Sequence, residues 1–207
     1  MDFENLISFV SISMLLTLAP GPDILFVIVQ SISQGKRAGI AVALGLCTGL
    51  IVHTTAAALG ISVILNQSTA AFQLVKYAGA VYLLYLVWQA FKEGDTSFSM
   101  KEAKNQQFIS LYKRGIFMNI LNPKVSLFFL AFLPQFVSAE LGKIPFQMII
   151  LGIIFMAQAF IIFTGTALFS VSFSQRFFSN HKIGKYINYF KAIIFAVIGI
   201  RLAFMEK

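Results

Sequence analysis

Two charged residues lie inside otherwise apolar runs, and each directly follows a proline: Asp23 in Pro20-Gly21-Pro22-Asp23, and Lys124 in Asn122-Pro123-Lys124. Proline removes a backbone donor and clashes with the preceding turn, while glycine relaxes the backbone. Asn119, one turn ahead of Asn122, adds a further polar interruption to the second run. A charge in such surroundings is costly and faces a protein interior or a wet cavity. The opposite signs of Asp23 and Lys124 leave two readings open. In one they form a salt bridge that locks two parts of the chain, or snorkel to an interface. In the other they are the two poles of a binding site suited to an amino-acid zwitterion, with Lys124 receiving the carboxylate and Asp23 the ammonium. The two alternate if the pair closes on itself when empty and opens around a solute. Asp23 is also the candidate for proton coupling, because burial and a nearby lysine pull a carboxylate's proton affinity in opposite directions.

Other polar residues in apolar runs are weaker candidates. Ala41, Gly45, Gly49, His53 and Ala57 recur every four residues, a spacing that stacks them on one helix face. Small residues there let a second helix approach closely. His53 continues the stripe and is either a proton relay or substrate contact, or a hydrogen-bonded structural histidine. Lys76 either snorkels to the outer interface or takes part in the site, and Lys191 reads as interfacial. Gln158, Thr164 and Thr166 line a cavity or bond to helix backbone. Tyr82, Tyr85, Trp88, Tyr186 and Tyr189 fit interface anchoring or packing.

These residues need membrane-spanning helices to position them. Of the 207 residues, 58% are hydrophobic and only 12% charged, against about 25% charged in soluble domains. Too little polar side chain is present to coat a soluble fold of this size. Six runs reach or approach the roughly 20 residues that cross the hydrocarbon core: Leu6–Gln30, Gly39–Leu65, Phe72–Phe91, Gly115–Val137, Phe146–Phe173 and Tyr186–Phe204. They are continuously apolar and lack the alternation of a membrane barrel. The acidic start, Asp2 and Glu4, is unlike a secretory signal, so the first run is read as a retained helix.

The net charge of +8 sits mainly between the runs, without a basic face interleaved with aromatics, so nucleic acid is excluded as a partner. Lys36 and Arg37, then Lys92, Lys101, Lys104, Lys113 and Arg114, then Arg176, Lys182 and Lys185 fill the odd connections. The even ones carry only Lys143. The positive-inside rule then puts the odd loops in the cytoplasm and both termini outside.

The expected fold is therefore an all-α integral membrane protein of about six transmembrane helices. Residues 1–91 form a first three-helix half, 92–112 a cytoplasmic linker, and 113–207 a second half, together one transporter domain. Gly35-Lys36 followed by Gly45 corresponds to Gly142-Lys143 followed by Gly152, and Pro22-Asp23 corresponds to Pro123-Lys124. Three helices per half make these two inverted repeats, whose matching helix breaks point to a midplane site. Pro20, Gly21, Pro22, Asn119, Asn122 and Pro123 would line that site, because backbone groups freed within lipid must be satisfied by protein or cavity water.

Alternative chemistries fit less well. One cysteine, Cys47, and two histidines give no metal-ligand set. No His-Glu-x-x-His motif or paired acids serve an intramembrane enzyme, and no cofactor is called for. Export of another small solute or ion, or a non-transporting membrane partner, stands as the alternative. Small residues serve a homodimer contact or packing within one chain, and both remain open.

With these motifs in view, the chain resembles the LysE/RhtB family of amino-acid exporters. Pro20-Gly21-Pro22-Asp23 looks like its first signature. Gly115 through Asn119-Ile120-Leu121-Asn122-Pro123-Lys124, then Leu127-Phe128-Phe129 and Pro134-Gln135-Phe136, is similar to its second. Gly39, Ala43-Leu44-Gly45 and Lys76-Tyr77-Ala78-Gly79-Ala80-Val81-Tyr82-Leu83 also fit, so the resemblance covers nearly the whole chain in order. Val87 departs from it, where relatives often carry glycine. The resemblance implies secondary export of amino acids or derivatives, in exchange for protons, across a bacterial cytoplasmic membrane. Family substrates include lysine, arginine, threonine, homoserine, homoserine lactone and leucine. A dibasic solute would want a second buried acid beside Asp23, so a neutral amino acid such as threonine, homoserine or leucine is favoured.

Overall fold

The computed structural model describes residues 3–61, 69–92, 107–138, 140–177, 189 and 192–200. The described residues are helical with no strand. Helix α1 runs Phe3–Leu18 and α2 Pro22–Gln34; α3 covers Lys36–Ala56 and ends in a π turn, Ala57–Ile61. Helix α4 is Thr69–Lys92, α5 Phe108–Ile120 and α6 Pro123–Leu127. After α6 the chain continues as a π turn, Phe128–Phe132, and a 3-10 turn, Leu133–Phe136. Helix α7, Ile144–Phe177, is the longest, and residues 192–200 are helical again.

Both expected breaks are present. The first apolar run is not one rod: α1 and α2 meet at 55°, and α5 meets the α6 segment at 49°. Each second helix opens on a proline, Pro22 or Pro123, where the missing N–H costs nothing and the fixed φ suits a helix start. The stretches Lys36–Gly60 and Ile144–Val171 are each long and apolar enough to cross a membrane. With each bent pair counted as one crossing, the described residues give up to four spans. The third expected run falls within α4; the sixth is described only at residue 189 and residues 192–200.

Helix α5 starts at Phe108, seven residues ahead of the expected span and inside the stretch read as linker. Its first turn carries Phe108, Ile109 and Leu111, apolar enough to extend the helix. The rest of that stretch, 93–106, and the basic residues Lys182, Lys185 and Lys191 lie outside the described residues.

Glycines at the two expected repeat positions behave alike. Gly35 precedes α3 with φ of 85° and Gly142 precedes α7 with φ of 61°, conformations that glycine adopts without a Cβ penalty. Beyond Gly142, Gln147 ties the connection down: its amide nitrogen donates to the carbonyls of Ser138 (2.9 Å) and Gly142 (2.7 Å), and its oxygen accepts from the Ser138 amide (3.1 Å).

The small-residue stripe of α3 packs on α5. A Cβ on Gly115 would lie 2.7 Å from the Val42 carbonyl oxygen and 3.1 Å from Gly45 Cα, so neither helix can carry a larger residue there. One turn on, a Cβ on Gly49 would lie 2.8 Å from Asn119 Cβ. Thr48 and Tyr112 share a hydroxyl hydrogen bond of 3.0 Å across the same seam. Below the breaks, Phe9, Phe128, Phe132, Phe136 and Phe155 form an aromatic core with ring centroids 5.0–6.1 Å apart. Leu59, Leu74, Val81, Leu84, Phe117, Ile153, Ile161 and Phe169 are exposed, more apolar surface than water tolerates and what a lipid-facing perimeter needs.

Candidate functional site

The two helix breaks converge on one buried cavity. Asp23 from α2, Asn119 from α5 and Lys124 from α6 line it, with Leu16 and Thr17 of α1, Leu50 of α3 and Phe155 and Phe163 of α7. Its volume is about 10 Å³, enough for about one water molecule. The expected site residues thus meet across both parts of the chain: Asp23 is 3% exposed, Asn119 1%, Asn122 3% and Lys124 7%.

Lys124 is held by the broken end of α1. Its Nζ donates to the carbonyl oxygens of Leu16 (3.1 Å) and Ala19 (3.3 Å). The cause is local. In an α-helix the Leu16 carbonyl would accept from the amide four residues on; that residue is Pro20, which has no N–H. The ammonium supplies the missing donor and adds a positive charge at a helix C-terminus, where the helix dipole favours it. Gly21 makes this approach possible, since a Cβ there would lie 3.3 Å from Lys124 Nζ.

Asp23 sits in the first turn of α2, where a carboxylate suits the positive end of the helix dipole. Its Oδ2 accepts from Asn119 Nδ2 at 3.4 Å, while Oδ1 has no hydrogen-bond partner. Because the carboxylate only accepts, the Asn119 amide must face it with nitrogen. That leaves Asn119 Oδ1 as a second buried acceptor without a donor. Asn122 caps α6 by accepting from the Lys124 backbone amide at 3.1 Å, and its side chain also lies beside the Asp23 carboxylate, though without a hydrogen bond of good geometry.

His53 holds the far side of Asn119. Its Nε2 lies 3.0 Å from the Asn119 carbonyl oxygen; a carbonyl only accepts, so the proton is on Nε2. The ring also stands 5.8 Å from that of Phe129. His53 therefore reaches Asp23 through Asn119. Lys76 lies within α4, and its side chain is outside the described residues.

Two residues gain importance from the structure. Thr17, unremarked in the sequence, lines the cavity. Gln158, read there as one of three mild polar interruptions, donates from Nε2 to Thr17 Oγ1 at 3.0 Å. A hydroxyl one turn ahead of Pro20 was the available signal for Thr17. Among the described residues, no group of three His, Cys, Asp or Glu side chains lies close enough to hold a metal ion.

The chain is similar in sequence to known membrane proteins. The family model for LysE type translocators matches residues 14–206. The homoserine/homoserine lactone efflux protein of Salmonella typhimurium is 33% identical over 167 residues, 81% of either chain. An uncharacterized membrane protein of Bacillus subtilis, YrhP, is 30% identical over 96% of this chain and 98% of its own. A membrane protein of Vibrio cholerae, also uncharacterized, is 29% identical over 81% of this chain and 82% of its own. No solved structure matches.

Proposed function

The chain belongs to the LysE type translocator family, a family of transporters and not of enzymes, and from that premise we propose that it is a secondary active exporter of neutral amino acids or their derivatives. The observation that carries the reading is the buried cavity where two bent helices bring Asp23 and Lys124 together. Gly/Pro-broken helices around a central site are how transporters present polar groups within a membrane. Asp23 Oδ1 and Asn119 Oδ1 are buried acceptors without donors, which suits a substrate ammonium. Lys124, with the Asn122 amide beside it, receives the carboxylate. The printed function of the Salmonella relative supports homoserine or its lactone as the first solutes to try.

Asp23 is the proton-coupling residue in this proposal, and export runs by proton antiport. The matching bends and the positive-φ glycines before α3 and α7 support reading the halves as inverted repeats of a six-span protein. We place it in the bacterial cytoplasmic membrane with both termini outside, and a homodimer is compatible with its small-residue faces.

The test is efflux from cells loaded with a panel of dipeptides, with Asp23→Asn at equal membrane abundance as control. The expected result is faster external appearance of one neutral amino acid, lost in Asp23→Asn and reduced when the proton gradient is collapsed. No excess efflux across the panel would favour a different small solute, an ion, or a non-transporting partner role.

A further inference from the structure

Gln158 is a buried side chain, 8% exposed, with one end engaged and the other empty. Its Nε2 donates to Thr17 Oγ1 at 3.0 Å, and the Thr17 hydroxyl donates to the Ser13 carbonyl at 2.8 Å. This relay fixes the amide's orientation. With its one proton committed to Ser13, Thr17 Oγ1 can only accept, so Gln158 must present nitrogen to it. Oε1 is then an acceptor by necessity, and it is buried without a hydrogen-bond partner.

The position of that acceptor is informative. Thr17, Phe155 and Phe163 line the same cavity as Asp23 and Lys124; Gln158 stands directly behind this lining, one hydrogen bond from the Thr17 hydroxyl. A solute held by its zwitterion between Asp23 and Lys124 would direct its side chain among these residues of α1 and α7 once the cavity widens. The acceptor there calls for a donor. A charged donor would need a counter-charge, and Asp23 is the acid that lines the cavity. A neutral hydroxyl meets the requirement without one.

We infer that Gln158, positioned by Thr17, is a specificity-determining residue that accepts a hydrogen bond from a hydroxyl on the solute side chain. The inference rests on the zwitterion reading above. A site built to hydrogen-bond a solute hydroxyl rejects the analogue lacking it far more strongly than an apolar pocket separates shapes.

The experiment uses a matched pair, homoserine and norvaline, which differ by a hydroxyl in place of a methyl. Efflux of both is measured from proteoliposomes of the full chain and of Gln158→Leu, with Thr17→Val as a second variant that keeps the volume but removes the anchor of the amide. Wild type should favour homoserine by about tenfold or more. Both variants should bring that ratio toward one, mainly by slowing homoserine while norvaline is retained or gains. If both solutes slow in proportion, with the ratio unchanged, Gln158 is a structural tie and the inference is overturned while the transport reading stands. If wild type moves both solutes equally, the inference is likewise overturned. If wild type moves neither solute nor any neutral amino acid of the dipeptide panel, the zwitterion reading fails and the inference with it.

Discussion

Replacing Lys124 with methionine leaves the carbonyl oxygens of Leu16 and Ala19 without their Nζ donor. Methionine keeps much of the volume of the lysine stem, so the loss is polar rather than steric. A hydrogen bond to a charged group is worth about 1.5–3 kcal/mol. Two such bonds, at 3.1 and 3.3 Å, together with the attraction between Lys124 and Asp23, set the gross loss. Against it stands the removal of a buried cation, which relieves desolvation. A net destabilisation of about 2–4 kcal/mol follows. For a chain of this length that is about 4–16 °C in the thermal midpoint, read by intrinsic fluorescence of the purified protein in detergent. The cause is Pro20, so the penalty should depend on it. Pro20→Ala returns a backbone N–H to the Leu16 carbonyl, and Lys124→Met should then cost roughly half as much in that background, a coupling that a double-mutant cycle reads directly. Lys124→Met melting within about a degree of wild type, or strictly additive single effects, would refute the reasoning.

Further outcomes follow from the same contacts. Gly115→Ala should destabilise by about 1–3 kcal/mol, because its Cβ would stand 2.7 Å from the Val42 carbonyl oxygen; a thermal midpoint equal to wild type would show that α3 and α5 separate easily. His53→Leu removes the 3.0 Å bond to the Asn119 carbonyl and should cost about 0.5–1.5 kcal/mol while slowing efflux, since Asn119 also holds Asp23; unchanged flux would separate His53 from the site. Gln147→Ala loses three hydrogen bonds that fasten the turn before α7 and should lower stability by about 1–3 kcal/mol, with faster proteolysis between α6 and α7 as the check.

The helix breaks were legible because proline and glycine act through their own backbones. A Pro-Gly-Pro run cannot continue an α-helix, so the bend at 20–22 needs no tertiary information. The Gly45, Gly49 and His53 stripe was legible for a similar reason, since four-residue spacing stacks side chains whatever the partner helix is. The partner, α5, was not. Which helix meets the stripe, and in which register, depends on Gly115 and Asn119 arriving opposite it, a fact of packing that spacing within one helix does not carry. The Thr17–Gln158 bond spans 141 residues and was hidden on the same ground. The start of α5 was misplaced because apolar content ends a span on paper, whereas a helix extends as far as its turns find support.

The pairing of Asp23 with Lys124 shows a subtler limit. Opposite charges in two apolar runs suggest that each exists for the other. Lys124 does lie close enough to Asp23 to act on its charge, but it also donates to the carbonyls of Leu16 and Ala19, and Asp23 also accepts from Asn119 at 3.4 Å, near the weak end for an N–H donor. The proline that announced the break also freed an acceptor that the lysine now holds, so Lys124 answers Pro20 as well as Asp23. This arrangement bears on transport. A cavity of about 10 Å³ is closed to any amino acid, which occupies several times the roughly 30 Å³ share of a water molecule. Opening it means surrendering contacts, and those around it differ in kind. The α3–α5 seam is backbone against backbone at glycines, and its polar contacts, Thr48 to Tyr112 and His53 to the Asn119 carbonyl, come from side chains of Thr48, Tyr112 and His53 that do not line the cavity. The contacts of Lys124, Asp23 and Gln158 are polar, and a zwitterion carries the groups that substitute for them: a carboxylate for the carbonyls, an ammonium for the amide. The side of the site facing α1, α2, α6 and α7 is therefore the one whose polar closure an amino acid can exchange for its own bonds at little net loss.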